Sequence, residues 1–186
     1  MRALTIFALF ASTAAAAHPY AVDVDVGRLS RGEIVGVVDV PVEEALAIVM
    51  DCDQADVWFP DMLDTDVVSV DGDVIRCAGA TNLPWPVPDR TWQIDSEAHL
   101  EVVDGVETWV AAFDYVEGTG NLDVLRGRYL LQRAGAGQTL VRYEAFVDLG
   151  FWIPEPLVNW ATRRILPGIL MGMEAHAETR MTLATL

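Results

Sequence analysis

Residues 90–101 read Arg-Thr-Trp-Gln-Ile-Asp-Ser-Glu-Ala-His-Leu-Glu, and their alternation decides the fold. Arg90, Trp92, Ile94, Ser96, Ala98 and Leu100 point one way; Thr91, Gln93, Asp95, Glu97, His99 and Glu101 point the other. One apolar and one charged face at a period of two describe a strand buried on one side and wet on the other, which is the habit of an antiparallel sheet. Forward of this stretch, Asp104-Gly105 turns the chain into a strand over Glu107–Val116, and Gly118–Asn121 connects that strand to Asp123–Arg133. Gly135-Ala136-Gly137 then leads to Leu140–Asp148, where Val141, Tyr143, Ala145 and Val147 share the apolar face. Behind it, Asp71-Gly72-Asp73 closes a hairpin between Val67–Val70 and Val74–Thr81, because Asp-Gly tolerates the backbone of a tight hairpin turn.

Beyond these strands the period changes. Glu33–Val40 is strand-like in its β-branched content; Pro41 then opens a short helix running to Val49, with Glu43 and Glu44 at its positive end. A second helical turn over Asp53–Trp58 stops before Pro60. After Pro154 and Pro156, Val158, Ala161, Ile165, Ile169, Met173, Ala177 and Met181 recur at helical spacing, which predicts a long C-terminal helix. Pro167 is expected to kink it, since the ring removes a backbone hydrogen bond. The expected class is α+β: a curved antiparallel sheet of about seven strands wrapped around the long helix, with two short helices after the first strand. One helix fills such a concavity incompletely, and small-molecule sites need a void of that kind.

Composition sets limits on function. The chain has 186 residues, 28 acidic and 12 basic, for a formal charge of −16, and every basic residue is Arg. A hydrophobic fraction of 52% and a mean hydropathy of +0.28 supply a core. The acidity argues against nucleic-acid binding, which needs cations to neutralise phosphates. Without Lys, neither Schiff-base chemistry nor a phosphate-loop lysine is possible. Arg2, the apolar run from Ala3 to Ala11 and the small residues through Ala17 predict a signal peptide over 1–17, cleaved after Ala17. Residues 18–186 would then form a single secreted or periplasmic domain. That compartment permits a disulfide between Cys52 and Cys77, worth roughly 3 kcal/mol by loop-closure entropy; the alternative is two small buried apolar residues. His18, His99 and His176 have no ligand spacing, so neither a metal nor another cofactor is expected.

Three stretches carry a resemblance. Pro84–Arg90 (PWPVPDR), the Asp51…Trp58-x-Pro60 turn and Asp148–Trp160 (DLGFWIPEPLVNW) resemble the START lipid-transfer domains and the wider START-like superfamily (SRPBCC), with its polyketide cyclases and Bet v 1-like proteins. Thr91 departs from the pattern, standing where many START sequences carry Asp. The resemblance implies a helix-grip fold acting as a START-like lipid-binding domain. Its internal cavity would take a hydrophobic small molecule or lipid, whether sterol, phospholipid or isoprenoid, for lipid transport. It further implies a monomer and a lid formed by the C-terminal helix and a neighbouring loop; Pro167 inside that helix and the glycines of Gly118–Asn121 suggest where the lid would move. The Phe151–Pro154 cluster is the candidate rim for transient membrane contact, or it packs the helix entrance against the sheet.

Ligand contact is expected from Trp58, Trp85, Arg90, Trp92, Ile94, Phe113, Tyr129, Tyr143, Trp152, Trp160, Ile165, Ile169 and Met173, with Met171, Gly172 and Met173 as an adaptable surface. Each of the aromatics, and the Met171-Gly172-Met173 stretch, could instead fill core. Arg90 shares the parity of Trp92; inward, it needs a carboxylate, backbone or ligand partner, and outward it would meet solvent or Asp89. Two other readings stay open. One is a cyclase or aromatase working through Tyr129, Tyr143, Arg90 and Asp114; the other is a non-transporting quinone- or partner-binding module. No catalytic residue is assigned, because no Gly-x-Ser-x-Gly elbow or activated cysteine occurs.

Overall fold

A computed structural model describes residues 20–85 and 87–184; the expected signal segment, His18 and Pro86 lie outside them. The chain order is β1 (Tyr20–Asp25), β2 (Ser30–Val38), α1 (Val42–Val49), a 3-10 turn (Cys52–Gln54), α2 (Ala55–Trp58), β3 (Met62–Asp71) and β4 (Val74–Thr81). It continues with β5 (Arg90–Val103), β6 (Val106–Tyr115), β7 (Val124–Gly135), β8 (Gln138–Asp148) and α3 (Glu155–Ala184). The strands form one eight-stranded antiparallel sheet in the order β1-β2-β8-β7-β6-β5-β4-β3. With α3 gripped in its concavity, this is the helix-grip arrangement.

The sequence reading starts the sheet at Glu33, whereas β1 precedes it and pairs with β2 from Tyr20↔Gly36 to Asp25↔Arg31. The short helices therefore follow the second strand. β1 is an edge strand whose half-buried Val22 and Val24 alternate with exposed Ala21, Asp23 and Asp25, a faint version of the pattern in β5. The alternation of β5 itself fades along its length: Arg90 and Trp92 are buried, but Leu100 is 50% exposed because the strand outruns the elements covering it.

Glycines set how close α3 lies. On the inner face of β2, a Cβ at Gly32 would strike Thr162 and Leu166, and one at Gly36 would strike Leu170. On α3, a Cβ at Gly168 would come within 2.6 Å of the Pro60 ring, and one at Gly172 within 1.9 Å of the Trp58 carbonyl oxygen. The helix thus seats on β2 on one side and on the α2–β3 turn on the other. Its C-terminal half packs with α1, burying Met173 and Ala177 among Ile34, Val38, Ala45 and Ile48. A second cluster, Cys52, Cys77, Trp92 and Leu122, lies under β4 and β5. Cys52 and Cys77 are joined by a disulfide with their Cα atoms 5.8 Å apart, tying the 3-10 turn to β4.

Charge sits on the convex face. Arg31 donates from Nε to Glu144 at 2.6 Å and also bonds Glu33 and Asp23; Arg128 and Arg142 complete the network through Glu144 and Glu33. Asp114, a sequence candidate for an inward carboxylate, is exposed on this face opposite Arg126. The inward residues of β6 are its odd-numbered neighbours such as Phe113, so strand parity itself turns Asp114 out.

Candidate functional site

Between the two buried clusters the sheet and α3 part, enclosing a cavity of about 760 Å³. Its roof is the N-terminal half of α3, where Leu157, Ala161, Ile165 and Ile169 follow one another at every fourth residue. Its floor is an aromatic group drawn from distant elements: Trp58 from α2, Phe59 just after it, Phe113 from β6, Tyr129 from β7 and Tyr143 from β8. The Tyr129 and Tyr143 rings are 4.8 Å apart, Phe113 stacks on Tyr143 at 6.2 Å, and Trp58 lies 6.4 Å from Tyr129. Gly127 permits this crowding, since a Cβ there would fall 2.6 Å from the Phe113 ring. Trp92 and Ile94 form the side wall; the Trp92 indole lies over Gly79, and its Nε1 donates to Thr81 Oγ1 at 3.0 Å.

The wall is mostly apolar, and its polar groups fall into distinct states. Burial raises the pKa of both phenols, and the neighbouring Tyr143 raises Tyr129 further, so both stay protonated at neutral pH and serve as donors rather than bases. Of the wall carboxylates, Asp148 is paired with Arg28 at 3.3 Å and Asp51 with Arg180 at 3.4 Å. Arg90 is 7% exposed; its Nη1 reaches the Asp89 carbonyl at 3.4 Å, its guanidinium lies 4.5 Å from the centre of the Phe151 ring, and its Nε has no partner. Trp58 Nε1 is likewise buried without an acceptor.

The cavity opens where its lining meets solvent: at Arg28 in the β1–β2 turn and at Phe151 and Trp152 between β8 and α3, Trp152 being 81% exposed. Leu83, Pro84 and Val87, from the loop before β5, line the cavity as well.

Trp58, Arg90, Trp92, Ile94, Phe113, Tyr129, Tyr143, Trp152, Ile165 and Ile169 are thus brought together around one cavity. Three sequence candidates are not. Trp85 is 90% exposed at the tip of its loop; Trp160 faces out beside Arg164, one residue, or about 100° around the helix, off the roof stripe; Met173 is fully buried in the α1–α3 core. Met171 is 60% exposed and Gly172 abuts Trp58, so with Met173 in core no residue of the Met-Gly-Met stretch faces the cavity. The Gly118–Asn121 loop, expected to move with the lid, does not itself line the cavity and is tied to β5. Thr91 N donates to Asn121 Oδ1 and Asn121 N to the Thr91 carbonyl, while a Cβ at Gly120 would sit 1.9 Å from that same carbonyl oxygen.

The sequence reading missed other wall residues. Leu125 and Val147 share strand parity with Tyr129 and Tyr143, a signal that was available. Leu122 and Leu149 come from the ends of loops, where no period exists to place them.

No family model and no curated protein matches the chain. Solved structures do. A STAR-related lipid transfer protein fragment from Xanthomonas axonopodis superposes with a TM-score of 0.71 at 17% identity, covering 88% of this chain and 95% of that one. The lipid transfer and protein localization domain of human StarD13 gives 0.65 at 15% identity, covering 83% and 84%. The Zhui aromatase/cyclase from a Streptomyces species gives 0.62 at 14%, covering 82% and 96%. The chain has the START helix-grip fold, shared by transfer proteins and aromatase/cyclases, and fold likeness alone does not choose between their activities.

Proposed function

We propose that this protein binds a lipid or similar apolar molecule in the cavity between α3 and the sheet and carries it between membranes outside the cytoplasm. The observation that carries the reading is the cavity: about 760 Å³, walled chiefly by apolar and aromatic side chains, within the size range of small-molecule sites. Transfer draws on the mouth, where Phe151 and Trp152 present apolar surface that a bilayer interface accepts, so cargo could pass without crossing water. Export draws on residues 1–17 and on the Cys52–Cys77 disulfide, which persists in oxidising compartments. Release is assigned to movement of the roof about Pro167, which divides the half of α3 over the cavity from the half packed in the core.

Native mass spectrometry of the protein purified from its own compartment, followed by extraction, tests the reading. A stoichiometric lipid or isoprenoid is expected; a mass that stays apo after exposure to total membrane lipid overturns it. A disulfide engineered between α3 and β2 should slow ligand exchange, and unchanged exchange refutes the moving roof. A cyclase-type reading draws on the paired phenols Tyr129 and Tyr143, which could orient an acceptor-rich chain. It requires turnover that Tyr129→Phe with Tyr143→Phe abolishes without loss of binding.

A further inference from the structure

We infer that the cargo is an amphiphile with one anionic head group, held at Arg90 just inside the mouth, its tail running toward Trp58 and Ile169. This rests on the cavity being a ligand site, and it adds the chemical class of the ligand.

Guanidinium is charged at any physiological pH and carries five donors in a fixed fork, so a buried one calls for a counter-charge. Three arginines border the cavity: Arg28 at its mouth, Arg31, whose guanidinium turns into the convex-face network, and Arg90. Arg28 is neutralised by Asp148 and Arg31 by Glu33, Glu144 and Asp23. Arg90 is the more buried, yet among the described residues it forms no ion pair; Asp89 offers it only a carbonyl, and the Asp89 carboxylate accepts instead from Leu83 N. Phe151 covers the guanidinium with a ring face but supplies neither a negative charge nor an acceptor for Nε. Arg90 is the charged side chain of the wall with a buried polar atom that lacks a partner, and what that N–H lacks is an acceptor, so the missing partner is an acceptor that enters with the cargo. Two further wall carboxylates, Asp123 and Glu155, are exposed to water at the rim, where their charge is screened.

A head group at Arg90 would sit beneath Phe151. The aromatic cover would then exclude water from the ion pair, and a carboxylate or phosphate could take two parallel N–H bonds from the fork.

The test is displacement of an uncharged apolar dye, N-phenyl-1-naphthylamine, by dodecanoate, dodecyl phosphate and dodecanol at pH 7.5, below their micellar concentrations. Both anions are expected to displace the dye at concentrations roughly tenfold or more below dodecanol, the scale of a charge-assisted hydrogen bond. In Arg90→Gln that gap should close through loss of the anions' advantage over dodecanol, with near-ultraviolet circular dichroism confirming the fold. Equal displacement by all three in the wild type, or a gap that persists in folded Arg90→Gln, overturns the proposal. Should Arg90→Gln not fold, the wild-type comparison of acid with alcohol decides. If the dye does not bind, or no amphiphile displaces it, the binding reading itself falls and the anion proposal falls with it.

Discussion

Gly172→Ala separates helix propensity from packing, because the two give opposite signs. Inside an exposed helix, Ala is about 1 kcal/mol better than Gly. At this position the new Cβ would lie 1.9 Å from the Trp58 carbonyl oxygen and 3.0 Å from its carbon, against a floor of 3.0 Å for real Cβ contacts. The gap must widen by the difference, 1.1 Å, and the obstacle is backbone held by the turn into β3. Overpacking of this kind costs about 1–3 kcal/mol. With no flexible side chain to yield, the upper part of that range applies, and the net effect after the helix gain is a loss of about 1–2 kcal/mol. For a chain of this length that lowers Tm by about 2–8 °C, read by circular dichroism during heating and checked by urea titration. Gly168→Ala is the control, since its Cβ would meet the Pro60 ring at 2.6 Å, a side chain that can shift, and its loss should be smaller. A rise in Tm for Gly172→Ala would refute the close seating of α3 on the α2–β3 turn, and with it the placement of Trp58 on the cavity floor.

Other outcomes follow from the same geometry. Ala161→Phe, which pushes a ring from the roof into the cavity, should cut dye capacity at least severalfold while leaving Tm unchanged or higher; unaltered capacity would put the ligand elsewhere. Cys52→Ser with Cys77→Ser opens a loop of sequence separation 25 and should cost roughly 3 kcal/mol, seen as a fall in the urea midpoint; free thiols in the untreated wild type would disprove the bridge. Asp95 is held below the usual carboxylate range by hydrogen bonds from Arg76, whose Nε lies 2.7 Å away. A carboxyl pKa lowered in the folded state gives stability that is present above the unfolded value and lost as pH falls through the folded one, below about pH 4. Carboxyl-carbon NMR should therefore show Asp95 titrating low in the wild type and returning toward the ordinary range in Arg76→Gln; an unchanged midpoint would assign the depression to another cause.

Legibility tracked periodicity. The strands from Val74 to Asp148 announced themselves through alternation and Asp-Gly or Gly-rich turns, and the α3 seam through residues at every third or fourth position. On that seam, sequence alone read Ile165, Ile169 and Met173 as equivalent, whereas the first two line the cavity and the third lies in core. The helix is one stripe in sequence, but α1 covers its second half and the void its first. Trp85 and Trp160 failed for the opposite reason. Aromatic character suggested contact, yet Trp85 sits at a loop tip and Trp160 lies off the roof stripe, so neither reaches the wall. Parity left Arg90 either inward beside Trp92 or turned out toward Asp89; the structure buries it, and its want of a partner was not legible because that depends on Asp89 turning its carboxylate toward Leu83.

What the sequence by itself determined was the run of elements from β2 onward, the antiparallel hairpins among β3 to β8 and the faces most of these strands bury, since these follow from local period and turn chemistry acting over a few residues; the edge strand β1 and the β2–β8 pairing came only with the tertiary structure. The cavity was decided only in three dimensions. Its size is set by how far the curled sheet stands from α3, and that distance depends on glycines whose effect is visible only against their partners: Gly32 and Gly36 beneath the helix, Gly172 against the Trp58 carbonyl. A hydrophobic pattern states that a side chain leaves water; whether it then meets another side chain or the edge of a void depends on the packing of every other element around it.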